Sequence, residues 1–361
     1  MRILAIDVGT GTQDILLWDT EQPIENGIKL VMPSPTAIAA GQIRAATDDR
    51  APLLLVGTTA GGGPSMWAVE DHLRAGLPVF AERVAALSFD DDLTKIEALG
   101  VRIVGNAVEA PPACRTVVMG DLHLGAIQVS LRAFHQNPEW DALAVAVFDH
   151  GAAPPDMSDR QFRFAHLAET VEARNDLRAF AYAGDAIPSH LTRMAAVAAA
   201  APAGVPLVVM DTGPAAILGA RDDPAVADER TRLAVNVGNF HTLAFAIEEE
   251  RIVGIFEHHT GELTVARLER YLAQLGDGTI SNDEVFHNRG HGAVVWPRGG
   301  PPPAFRAVTG PRRRLLRVGS GAYYAAPYGD MMLAGCFGLL HAAADHLPAT
   351  AGTALAEALS K

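Results

Sequence analysis

Short apolar runs broken by glycine turns set the pattern of this chain from its first residues. Arg2 to Asp7 is a β-rich run that enters Val8-Gly9-Thr10-Gly11-Thr12, and Gln13 to Trp18 leaves it as a second apolar run. This predicts a β-hairpin with a glycine-bearing turn. The stretch from Pro23 to Arg50 has little periodicity. Beyond it, Leu53 to Val56 is a buried-strand pattern ending in the glycine-rich loop Gly57 to Gly63, with a helix expected from about Ser65 to Gly76. Further strands are predicted at Val101 to Val104, Thr116 to Met119, Leu143 to Phe148, Ala179 to Tyr182 and Pro206 to Met210. Helical patterns such as Ala126 to Phe134 and Leu191 to Ala200 separate them. Alternating strands and helices imply an α/β sheet. From Arg232 the pattern restarts with a strand, a glycine turn and strands at Leu243 to Glu248 and Arg251 to Glu257. Helices are expected near Leu263 to Leu275 and from Asp330 to Ala344.

The restart is a repeat. Laid over the segment 229 residues later, Leu4-Ala5-Ile6-Asp7-Val8-Gly9 falls on Leu233-Ala234-Val235-Asn236-Val237-Gly238, identical at four of six positions. A duplicated fold uses two such hairpins face to face. A glycine turn lets backbone N–H groups converge on an anion, and neighbouring hydroxyls add donors. Gly9, Thr10, Gly11, Thr12 and Gln13 in one hairpin, and Asn236, Gly238, Asn239 and Thr242 in the other, are therefore candidate phosphate-binding residues. Asp7, at the end of its strand, can hold Mg²⁺ through water and so neutralise phosphate oxygens. An ordinary hairpin turn is the alternative for either segment taken alone.

With 361 residues, the chain has room for two domains, expected as 1–220 and 221–361 with a polar break at Asp222-Asp223-Pro224. The hydrophobic fraction of 49% with 20% charged residues describes a well-packed globular protein. A net charge of -13 argues against general nucleic-acid binding. The basic run Arg312, Arg313, Arg314 and Arg317 suits either a phosphate or a solvated surface. Cys114 and Cys336 lie far apart without a CxxC partner, which fits a reducing cytosol and excludes a cysteine-rich metal site. No signal peptide or spanning helix is evident, so a cytoplasmic location away from membranes is expected.

The two glycine hairpins resemble the phosphate-binding hairpins of the superfamily that joins sugar kinases, acetate kinase, actin and the heat-shock chaperone ATPases. Pro206 to Ala220 resembles the strand and small-residue helix preceding the second phosphate loop. Ala307 to Pro311 is similar to the strand and glycine turn that meet adenosine, which implicates Thr309 and Gly310. Asp330 to His341 is similar to the closing helix near the hinge. The resemblance implies a two-lobed actin-like ATPase (ribonuclease H-like) fold, with duplicated mixed sheets, flanking helices, ATP and Mg²⁺. The sequence departs from that pattern at Asn236, where many members have Asp, at Phe240 and His241, which replace glycines, and at Pro311. More narrowly, it resembles an uncharacterised prokaryotic branch sometimes labelled as pyruvate formate-lyase activators. That activity needs three closely spaced cysteines, which this chain lacks.

Asp211 follows a buried strand where some sugar kinases of the superfamily carry their catalytic base. Capping the helix that starts near Pro214 is its other role. Asp149 and His150 follow a strand end where α/β proteins place ligand sites, and are candidate substrate contacts or a turn. The glycines of 57–63 lack the ending of a Walker loop. His258 and His259 are expected on opposite strand faces, and glycines around His287 and His291 argue against a helical metal pair, so no histidine metal site is expected. The leading expectation is an ATP- and Mg²⁺-binding phosphotransferase acting on a small-molecule substrate. An ATP-driven switch acting on a partner protein and a non-catalytic member of the fold are the alternatives.

Overall fold

In a computed structural model, which describes residues 1–317 and 321–360, the opening run forms β1 (Arg2–Val8). It pairs antiparallel with β2 (Thr12–Asp19), which pairs antiparallel with β3 (Ile28–Pro33). The chain then builds a separate parallel sheet from β4 (Leu53–Gly57), β5 (Val79–Glu82), β6 (Val101–Val104) and β7 (Arg115–Met119), ordered β6-β5-β4-β7. It returns with β8 (Ala142–Val147), β9 (Ala181–Ala183) and β10 (Leu207–Asp211), which complete a first sheet ordered β3-β2-β1-β8-β10-β9. Six more strands form the second sheet: β11 (Thr231–Val237), β12 (His241–Glu248), β13 (Arg251–His259), β14 (Gly290–Val295), β15 (Phe305–Thr309) and β16 (Ala322–Tyr324). Their order is β14-β13-β12-β11-β15-β16.

Both six-stranded sheets contain one five-strand plan. Three strands form an antiparallel meander, and two more add in parallel beside the first: β3-β2-β1-β8-β10 in one sheet and β13-β12-β11-β15-β16 in the other. The repeat read from two short hairpins is thus a repeat of whole sheets. The small parallel sheet, inserted in the chain between β3 and β8, has its own core around Ile43, Leu53, Leu55, Val69 and Val117.

The strands of the first sheet are apolar on both faces because both faces are covered. Ile3, Ala5, Ala142, Ala144, Ala146, Val208 and Met210 enter one core, and Leu4, Ile6, Val8, Leu143, Val145, Val147 and Val209 enter the other. The first of these cores also takes Ala234, Leu243, Phe245 and Ile255 from the second sheet. Between the sheets run the helices Thr212–Ala220 and Ala334–His346, with eight of nine residues of the former buried. They cross so closely that a Cβ on Gly219 would meet the Ala334 carbonyl oxygen, and one on Gly338 the Ala215 carbonyl oxygen. Gly338→Ala is therefore expected to lower stability by about 1–3 kcal/mol, because backbone cannot yield as a side chain does. Gly125→Ala, whose Cβ meets open space, is its neutral control. Urea midpoints of both variants check this.

The segment expected to be poorly periodic holds β3 and the helix Pro35–Asp48. Ser34 caps that helix by accepting the Ala37 N–H at 3.2 Å, and Pro35 occupies its first turn. The strand expected at Ala179 to Tyr182 is shorter, because Leu177–Phe180 coils into a 3₁₀ turn capped by Asp176. No helix among the described residues is long and apolar enough to cross a membrane.

Candidate functional site

The two glycine hairpins close with the same bond. Gly9 N–H donates to the Thr12 carbonyl at 2.9 Å, and Gly238 N–H donates to the His241 carbonyl at 2.9 Å. A Cβ on Gly238 would lie 2.7 Å from that carbonyl oxygen, so the turn tolerates only glycine. The tips approach each other. Gly11 packs against the Asn239 side chain, and Phe240 contacts Trp67, with ring centroids 5.3 Å apart.

Between the hairpins lies a cavity of about 100 Å³, lined by Asp7, Gly9, Thr10 and Thr12 on one side and by Asn236, Gly238, Asn239, Thr309 and Gly310 on the other. Gly310 has φ +95°, and a Cβ there would strike the Asn236 side chain and the Val237 carbonyl. The first turns of both central helices, at Thr212 and Gly213 and at Ala334 and Gly335, also line the cavity, so the positive ends of two helix dipoles border it.

Two carboxyls sit at the floor. The register of β1 against β2 sets Asp7 directly opposite Asp14, and both are buried. Burial pushes Asp7 up to about 7, against a 2.5 Å hydrogen bond from the Thr212 hydroxyl and with a further push from Asp211. Burial, then the facing Asp7, pushes Asp14 up to about 8. Oδ1 of Asp14 and Oγ1 of Thr309 are buried without hydrogen-bond partners. Facing carboxyls taken out of water make a place for a cation.

A second cavity of about 220 Å³ adjoins the first, and Gly9, Thr10, Phe148, Arg193, Phe240 and His241 line both. Its remaining wall comes from Asp149, His150 and the glycine-rich loop Thr59 to Gly63. Both oxygens of Asp149 are occupied, Oδ1 accepting the Gly151 N–H at 2.9 Å and Oδ2 the Met194 N–H at 2.9 Å. Arg193 is fixed by Asp121 at 2.7 Å and by the Phe148 carbonyl at 2.7 Å.

Behind this wall Arg163 joins the two sheets. Its guanidinium is 1% exposed and lies 3.7 Å from the Phe148 ring centroid. It donates to Asp211 Oδ2 at 2.6 Å, to Glu257 at 2.8 and 2.7 Å and to the Asp149 carbonyl at 2.8 Å. Asp211 also accepts the Gly213 N–H at 3.0 Å, so it caps its helix as well as pairing with Arg163. To accept a substrate proton, Asp211 would have to release Arg163.

The structure thus brings Asp7, Gly9, Thr10, Thr12, Asn236, Gly238, Asn239, Thr309 and Gly310 to one cavity, and Asp149 and His150 to its neighbour. Gln13 and Thr242 stand apart. Gln13 donates to the Pro33 carbonyl at 3.0 Å, and Thr242 shares a 2.9 Å hydrogen bond with Thr260. Arg312 reaches the Asn239 carbonyl at 3.5 Å, so the basic run begins beside the second hairpin. Asp14, Thr212, Arg163 and Glu257 went unread in the sequence, although Asp14 follows from the hairpin register.

His258 and His259 do point apart along β13, as expected: His258 is fully buried and His259 is partly exposed. A different set of histidines, which the sequence did not single out, does come together. His291 leaves His287 behind on its helix and joins His150 and His241 across three separate elements.

Comparison with known proteins places residues 60–315 on a family model described as "Putative pyruvate format-lyase activating enzyme (DUF1786)". No curated protein matches the chain.

Proposed function

The chain belongs to this family, and on that premise we propose that it is a Mg²⁺-dependent ATP-binding phosphotransferase acting on a small molecule, with the two-lobed fold of the sugar kinase, chaperone and actin superfamily. One observation carries the proposal. Two glycine turns of identical closure flank a cavity floored by two buried carboxyls, and that cavity opens into a second one of small-molecule size. The shared five-strand plan of the two sheets supports the superfamily reading.

The residues fit a magnesium nucleotide. The glycine turns keep side chains out of the way of an anion, two helix N-termini favour negative charge, and the orphaned oxygens of Asp14 and Thr309 lack partners that a hydrated ion and a ligand hydroxyl would supply. Bound Mg²⁺ would neutralise phosphate charge there. Gly9, Thr10 and Thr12 would hold phosphate oxygens from one side and Gly238 and Asn239 from the other, while Thr309 and Gly310 meet the rest of the nucleotide. Lobe closure over the bound nucleotide would bring the hairpin tips together, with Phe240 on Trp67 excluding water. Asp211, once released by Arg163, is the proposed proton acceptor.

The cluster-dependent chemistry in the family's description does not fit. Cys336 is buried and donates to the Asp14 carbonyl at 3.1 Å, whereas Cys114 packs on a small separate cluster. Two isolated thiols do not hold an iron–sulfur cluster.

The test is ³¹P NMR of MgATP with the protein and pools of small hydroxylated and carboxylated compounds. The proposal expects a new phosphoryl resonance with one pool. ATP bound but never transferred, whatever the pool, would favour the switch reading instead.

A further inference from the structure

His150 follows β8, His241 opens β12 and His291 lies on β14, yet one ring nitrogen of each falls within 4.8 Å of the others. The rings pack on one another, with His241 and His291 centroids 5.1 Å apart and His150 and His291 5.8 Å apart. Phe148 stacks on His241 at 3.8 Å and fixes that ring.

These imidazoles are short of partners. Nε2 of His241 and both ring nitrogens of His291 are buried without a hydrogen bond. An orphaned buried polar atom is costly, and these belong to two neighbouring rings of one cluster, which calls for a common explanation. Burial, with Arg163 and the neighbouring histidines adding to it, pushes His150 down to about 3 and His241 and His291 well below their ordinary range. Neutral imidazole is the form that ligates a metal. Glu257 Oε2 lies 3.9 Å from Nδ1 of His291, beyond hydrogen-bond reach, with both its oxygens held by Arg163.

We propose that His150, His241 and His291 form a site for one divalent transition ion such as Zn²⁺ or Fe²⁺, with an open coordination position on the cavity beside the phosphate cleft. Three imidazoles suit Zn, Fe, Cu or Ni rather than Mg²⁺, and three protein ligands with one position free is the arrangement of reactive metal sites. A tetrahedral set with bonds of 2.0–2.1 Å separates its nitrogens by roughly 3.4 Å, so the rings move inward by small rotations on binding. His150 and His241 line the second cavity, and His241 lines both, so an oxygen of a molecule bound there can take the free position. The site stands on the histidines alone and holds whether or not the cleft binds ATP.

The experiment strips the full chain with a chelator and titrates it with Co²⁺ alone, followed by visible absorption. One equivalent with intense d–d bands is expected, displaced by Zn²⁺. His150→Ala and His291→Ala should each weaken binding at least 100-fold, while His287→Ala, on the exposed helix end, leaves it unchanged. X-ray absorption at the zinc edge of the wild-type protein needs no variant, and is expected to give a nitrogen shell of about three imidazoles near 2.0–2.1 Å. No stoichiometric Co²⁺ binding by folded wild type, binding retained in both alanine variants, or a zinc shell without imidazole would each overturn the proposal.

Discussion

Replacing Arg163 with Met is expected to lower the melting temperature by roughly 5 °C. The guanidinium is ion-paired to both Asp211 and Glu257, and all three groups are buried. Removing one partner of a buried ionic set leaves uncompensated charge, at about 3–5 kcal/mol, and each kcal/mol moves the melting point of a chain this size by roughly 1–2 °C. The loss falls between the halves of the molecule, because Arg163 lies on the helix Asp159–Ala173 against the first sheet and Glu257 lies on β13 of the second. Adding Asp211→Asn and Glu257→Gln should recover much of the stability, since it removes the stranded charge. Calorimetric melting of both proteins decides this, and an Arg163→Met variant that melts with wild type would refute the ionic joint.

Asp14→Asn is expected to raise stability while abolishing MgATP binding. The carboxyl ordinarily titrates at 3.8, and in the folded chain it is pushed up to about 8. The folded state therefore favours the protonated acid. That advantage is complete below about pH 4 and is lost as pH rises through 8, leaving the ionised group as a cost above it. Asn has no such slope. Without Mg²⁺, the variant should match wild type near pH 4 and melt several degrees higher at pH 8 to 9. With Mg²⁺ present its nucleotide affinity should fall at least 100-fold, as should that of Asp7→Ala. A variant less stable at pH 8, or one that binds as before, would show that the carboxyl pair is structural.

Much of this was legible in the chain because it is local. The glycine turns close too tightly for a Cβ, so the hairpins and their 229-residue offset are visible, and the register that follows sets Asp14 against Asp7. Arg163 left a fainter trace. It shares the buried stripe of its helix with Phe164, Leu167 and Val171, where a charged residue is out of place. The three histidines left none, because they come from separate elements and converge only through the fold. β3 escaped because it is an edge strand, half-buried at its start and exposed at its end, and so lacks the alternation of a covered strand. The Ala-rich central helices, buried nearly all round, carry little amphipathic signal.

The most direct test of the account is calorimetric titration of ATP into the wild-type protein, with Mg²⁺ and with chelator. Saturable binding of one ATP per chain that requires Mg²⁺ is the predicted result. No binding heat from a folded sample in either buffer would contradict the nucleotide cleft, whatever the fate of the histidine site.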